Sequence, residues 1–238
     1  MTFIFLASLI QAPAIPPRVD PRIYQIARSI PSAAMEATVR KLVGFGTRHT
    51  FSDTLSSNRG IGAARRWIKA EFEAIANDCG GCLDVSYDRG ILAAAPGNRI
   101  PRDIELVNVV AVQKGRRYPD RYILITGHYD SRASDGNDSV SDAPGAVDDG
   151  SGTAAVIESA RVLSKFTFDK TIVYAALAGE EQGLLGGHQL AAHAKAQGWA
   201  VEGVLNNDII GNSEGIGGQV DNLTFRIFSE PVPATETE

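Results

Sequence analysis

Nowhere in this chain do lysine and arginine gather into a stripe, and its formal charge is −5 with a pI near 5.4. That argues against nucleic acid and anionic membrane surfaces as main partners. No apolar run reaches the length of a membrane-spanning helix, and there are no internal repeats. Cysteine is scarce: the 2 present, Cys79 and Cys82 in "DCGGCLD", cannot close a four-sulfur zinc site. A redox C-x-x-C usually opens a helix after a strand, whereas this one precedes the strand-like "LDVSY". A local disulfide bracing a turn is the expectation, with two free thiols as the alternative. The N-terminus lacks the basic residues that usually open a secretory signal. It still has an apolar stretch of the right length and small residues at Ala12 and Ala14 in A-x-A spacing. We expect residues 1–14 to be an export signal, which makes the protein periplasmic or extracellular. The alternative is an ordinary buried N-terminal segment.

What is present suffices for a core: 44% of residues are hydrophobic. After a Pro-rich start, Ile23, Ile26, Ala27 and Ile30 share one helical face. "SAAMEATVRKLVGF" predicts a second helix ending at Gly44 or Gly46. "GIGAARRWIKAEFEAIA" predicts a long one, with Ala64, Trp67, Ile68, Phe72 and Ile75 at helical spacing. From residue 105 short β-rich runs take over: "LVNVVAV", "RYILITG", "KTIVYAALA" and "VEGVLNND", with helical stretches between the later ones. Near-continuous apolar strands alternating with helices predict an α/β fold: a mixed, mostly parallel sheet with helices on both faces, preceded by N-terminal helices. The chain divides into a signal (1–14), an entry segment of helices and first strands (15–104), and an α/β core (105–238). In such folds ligands bind beyond the carboxyl ends of the strands.

Three predicted strand ends carry the same kind of residue. "YILITGHYD" ends on His128 and Asp130, "IVYAALAGEE" on Glu180 and Glu181, and "GVLNND" on Asp208. "PGAVDDGSG" sets Asp148 and Asp149 directly before a predicted helix. A histidine and at least four carboxylates at one rim repel one another unless a cation compensates. One imidazole with several carboxylates suits zinc, or manganese and cobalt, better than calcium. An aspartate can bridge two ions. Side-chain alternation at a strand end would turn Glu180 and Glu181 apart, so that one ligates while the other serves as general base.

In order, "GHYDS", "PGAVDDGSG", "GEEQGLLG" and "LNNDIIGN" resemble the two-zinc aminopeptidases of the bacterial leucyl aminopeptidase type, peptidase family M28 of the zinc-exopeptidase fold. The likeness spans most of residues 36–212, including the entry stretch from "FGTRHTFSDT" onward. It implies that His128 and Asp208 bind one zinc, that Asp148 bridges, and that Glu181 binds the second zinc. Glu180 would be the general base, Asp130 would orient His128, and the Asp148–Asp149 peptide would be cis. It further implies peptide substrates with a free N-terminus. One feature departs from the family: its last ligand is a histidine well beyond the aspartate of "NND", and no histidine follows Asp208 here. The expectation is a truncated form with an under-coordinated second zinc and little activity by itself. A non-catalytic peptidase-like binding ectodomain and a one-zinc acyltransferase of glutaminyl-cyclase type are the alternatives.

Other candidates read more plainly. Asp148 and Asp149 can also cap the following helix. His188 and His193 are five apart, which misses the i, i+4 spacing of a helical zinc pair, and read as surface residues. "DGNDSVSD" lacks the glycine position and final glutamate of a calcium loop and reads as solvated. Arg48 and His49 would tie the entry loop to the core, or approach the substrate cleft.

Overall fold

The structure, a computed structural model, describes residues 20–95 and 99–229. The candidate export signal lies outside them. Helix α1 (Pro21–Arg28) is capped by Asp20, whose side chain accepts from the Arg22 amide. Its apolar face meets no core among the described residues, so Ile23 and Tyr24 stay more than half exposed. Helix α2 (Ser32–Val43) starts after Pro31 and ends at Gly44. In α3 (Gly60–Asp78), Ile61, Ala64, Ile68, Phe72 and Ile75 are all buried, the i, i+3/i+4, i+7 stripe that packs a helix on a sheet. A Cys79–Cys82 disulfide closes the turn that follows, with Gly80 and Gly81 in left-handed backbone between the sulfurs.

Strands β1 (Asp84–Leu92) and β2 (Ile104–Gln113) pair antiparallel. Then come β3 (Tyr118–His128), α4 (Gly150–Leu163), β4 (Lys170–Leu177), α5 (Leu185–Ala196) and β5 (Ala200–Asn206). The sheet order is β1-β2-β4-β3-β5. β3 is parallel to both β4 and β5, while β2 is antiparallel to β1 and β4. The sheet is therefore mixed, with parallel pairing confined to β4-β3-β5 in the described residues rather than prevailing throughout.

Helices cover both faces, and the period-two alternation of strands shows how. Val109 and Ala111, Ile125, and Ile172, Tyr174 and Ala176 face a core shared with α2, α3 and α4. Their neighbours Val110, Leu124, Val173 and Ala175 face Leu190 of α5. This explains why β4 reads as an unbroken apolar run. The parallel set matters most for function. Its register pairs His128 with Leu177 and Thr126 with Asn206, so all three strands release the chain at one rim.

Candidate metal centre

His128 is the last residue of β3 and is 3% exposed. Its Nε2 lies 3.1 Å from Asp148 Oδ1 and 3.8 Å from Glu180 Oε2. On the other side of the ring, Nδ1 is 3.2 Å from the Asp130 carbonyl oxygen and 3.4 Å from Asp130 Oδ1. Burial by itself would lower the imidazole pKa, but the contacts with Asp130 and Asp148 outweigh it and raise the pKa to about 11. A positive charge is strongly favoured at this spot, whether a proton or a metal ion provides it.

Asp130 is wholly buried and does more than face the ring. Its Oδ1 accepts from the Glu180 amide and its Oδ2 from the Glu181 amide, each at 3.2 Å, and Thr50 Oγ1 donates to Oδ2 at 3.2 Å. One carboxylate thus fixes the imidazole and the backbone of both glutamates. These two lie beyond the end of β4, in a turn closed by the Gly183 and Leu184 amides on the Glu180 carbonyl. Their divergence comes from that turn and from Asp130, not from the strand alternation expected from sequence. Glu180 turns toward His128, whereas Glu181 Oε2 lies 3.7 Å from Arg132 Nη1. Burial, foremost, then the charges of Asp148 and Asp130, push Glu181 up to about 7; Glu180 is raised by burial above all.

The two aspartates before α4 divide their work. The peptide between them is cis, as the family resemblance implied. Asp149 is wholly buried and caps α4: Oδ1 accepts from the Gly152 and Ile209 amides, and Oδ2 from the His128 amide. Burial raises its pKa to about 7 against the pull of the His128 charge and of the Gly152 and His128 amides. Asp148 has a half-exposed side chain, and its contact with His128 holds its pKa below the usual carboxylate range. Asp208 arrives because Asn207 donates its amide to the Thr126 carbonyl and the Ile210 amide bonds Ser151 Oγ. His128, Asp149 and Asp208 then offer ligand-capable atoms within 4.8 Å of one another. Gly152 is what permits this approach: a Cβ there would sit 2.3 Å from the Asn207 carbonyl oxygen.

Behind the rim lies Arg48, fully buried, donating to the carbonyls of Tyr129, Leu42, Pro144 and Gly145. Burial lowers its pKa to about 10, and the charges of Asp130, Asp149 and Asp148 oppose that shift. It clamps the loop before Asp148, the tying role read for it from sequence. His188 and His193 lie on α5, away from the rim; His193 Nδ1 is 3.3 Å from Asp88 Oδ1. In the loop over 135–142, Asp135 takes the Asn137 amide and Asp138 those of Val140 and Ser141, while Asp142 pairs with Arg59 at 2.7 Å.

All six residues singled out from sequence, His128, Asp130, Asp148, Glu180, Glu181 and Asp208, gather at this rim. Asp149 was expected among the rim carboxylates and as a cap, without a ligand role of its own, and proves to belong to the metal-capable group. Thr50 and Arg132 were missed; the one signal for Arg132 was its place directly after "HYDS".

Residues 108–217 match Peptidase family M28. A probable zinc metalloprotease of Leptosphaeria maculans is 46% identical over 221 residues, 93% of this chain and 51% of the relative. The chain belongs to peptidase family M28. A probable zinc metalloprotease of Pyrenophora teres f. teres is 43% identical over 94% of this chain and 46% of its own length. The chain spans about half the length of the curated relatives it matches. Among solved structures, the LapA aminopeptidase of Legionella pneumophila aligns with a TM-score of 0.60 at 25% identity, over 79% of this chain and 45% of that one. A glutaminyl cyclase of Bacteroides thetaiotaomicron aligns with a TM-score of 0.59 at 19% identity, over 78% and 64% respectively. The fold is that of the zinc exopeptidases, and it carries both chemistries.

Proposed function

We propose that this M28 chain forms the core of a zinc-dependent aminopeptidase that removes N-terminal residues from peptides. The observation that carries the reading is the meeting of His128, Asp148, Glu180 and Asp208 at one rim, with Asp130 behind the imidazole. The donor set suits zinc: one imidazole and several carboxylates. In this reading His128, Asp148 and Asp208 hold one ion, while Asp148 and Glu181 reach toward a second. Asp149 already accepts three backbone amides, which favours the outward Asp148 as the bridge.

Bound zinc supplies Lewis acidity toward the peptide carbonyl and lowers the pKa of water. The chain's own residues do the rest. Glu180 takes the proton of the attacking water and passes it to the leaving amine; its raised pKa suits a group that must both accept and donate. Asp130 holds His128 and the Glu180 backbone in register. Among the described residues, Glu181 and Asp148 are the ones this reading gives to the second ion.

Export is part of the proposal. It is supported by the Cys79–Cys82 disulfide, a bond that persists in oxidising compartments, and by the signal-like residues 1–14. Among the described residues no helix is long and apolar enough to cross a membrane. The test is to offer the full-length, zinc-loaded protein an unblocked amino-acid anilide and an N-terminal glutaminyl peptide. Hydrolysis of the anilide, abolished by a chelator, supports the reading. Cyclisation of the glutaminyl peptide would make it a glutaminyl-cyclase-type enzyme, and binding without turnover a receptor.

A further inference from the structure

Among the described residues, Arg132 is the one arginine or lysine side chain in ion-pair contact with a carboxylate of the rim, Glu181. Arg48 is occupied by four carbonyls, and Arg102 donates to the Phe51 carbonyl. Arg132 donates through Nε to the carbonyl of its neighbour Ala133 at 3.3 Å, and its terminal nitrogens make no hydrogen bond among the described residues. Its side chain is 36% exposed.

The position of that guanidinium is built, not incidental. Gly136 lies beside it, so that a Cβ there would stand 4.0 Å from Arg132 Cζ and Nε. The Gly136 carbonyl is held by buried His49: the Phe51 amide donates to Nδ1 at 3.0 Å, so Nε2 carries the proton and donates to Gly136 O at 3.1 Å. The same Nε2 is 3.3 Å from the side-chain amide of Gln182, next to Glu181. One imidazole therefore holds the loop that carries Arg132 and lies against the turn that carries Glu181.

Resting on the aminopeptidase reading, we propose that Arg132 recognises a carboxylate on the substrate residue that follows the scissile bond. Two facts lead there. When Glu181 gives its charge to a divalent cation, the Arg132 guanidinium keeps no ion pair among the described residues, and its planar fork fits a carboxylate in two hydrogen bonds. Distance agrees: one residue spans about 3.3–3.6 Å of chain, so a peptide whose scissile carbonyl lies beside Glu180 and Glu181 brings the next residue's carboxylate within reach of Arg132. The chemistry has two sources, the C-terminal carboxylate of a dipeptide or the side chain of an acidic second residue.

Comparing kcat/KM for Leu-Leu against Leu-Leu-amide tests the first source, and Leu-Glu-amide against Leu-Gln-amide tests the second. Calorimetric binding of the same four peptides to the zinc-loaded, full-length protein gives a readout independent of turnover. We expect at least one anionic member to be favoured about 10- to 150-fold, the range for hydrogen bonds to charged groups. Arg132→Gln should collapse that ratio toward one, and Arg132→Lys should retain part of it. Ratios near one in the unmutated protein overturn the proposal even if the variants do not fold. A ratio that survives Arg132→Gln overturns it as well. Absence of hydrolysis of all four peptides counts against the aminopeptidase reading instead, and the binding ratios still decide the role of Arg132.

Discussion

Asp130 joins three parts of the rim that are far apart in sequence: the His128 imidazole, the Thr50 hydroxyl of the entry loop and the amides of Glu180 and Glu181. Around this fixed point, neighbouring acids take different tasks, and substitutions should separate them. Glu180→Gln should lower kcat by roughly 10²–10⁴-fold, the usual weight of general acid–base catalysis, with metal content nearly unchanged. Glu181→Gln should instead lose metal. Emission spectroscopy on both variants checks this, and metal loss at 180 with retention at 181 reverses the two roles. The aspartate pair should divide in the same way. Asp149→Ala removes the acceptor of three amides, two of them buried, and should cost about 2 kcal/mol or more of stability in denaturant unfolding. Asp148→Asn, at a half-exposed side chain, should leave the unfolding midpoint of the metal-free protein nearly unchanged while zinc affinity falls in calorimetry.

The N-terminus of α4 carries much of the geometry. It presents its unpaired amides to Asp149, and its positive end favours the acids gathered there. Gly152 lets that helix approach the segment after β5 so closely that an added methyl would meet the Asn207 carbonyl oxygen at 2.3 Å and the Asp149 carboxylate at 2.4 Å. Gly152→Ala should therefore push away the segment that delivers Asp208. We expect weaker zinc binding in titration and a kcat/KM about 10²-fold lower, the typical consequence of roughly 1 Å of misplacement. Full activity in this variant would mean that Asp208 is not a ligand. In α3 the stripe is structural and distant from this chemistry, so Phe72→Ala should cost about 3–5 kcal/mol in denaturant unfolding through a buried cavity.

For the whole molecule, the rim is an unbalanced electrostatic assembly whose natural complement is a cation. Zinc that binds only the folded state should stabilise it by about 2.7 kcal/mol at a hundredfold excess over Kd. For a chain of this size a chelator should then lower Tm by about 5–10 °C, measurable by calorimetric scanning; an unchanged Tm would argue that no metal holds the rim together. Much of this was legible in the sequence because the information is local. Apolar periodicity marks α3 and the buried β4, and a histidine or acid just past a β-rich run marks a strand end in any α/β sheet. The order of the four motifs pointed to M28 before any coordinate was needed. What the sequence could not determine were relations between segments. The β4-β3-β5 order, which turns three strand ends into one rim, depends on pairings between residues some 50–80 positions apart, such as Ile125 with Tyr174 and with Leu205. The divergence of Glu180 and Glu181 depends on a turn braced by Asp130 and not on strand alternation. The facing of Arg132 toward Glu181 depends on a loop that buried His49 holds through the Gly136 carbonyl. A residue's type and its local period are written in its neighbours in the chain, whereas hydrogen bonds and charges act through space, and only the folded chain sets those distances.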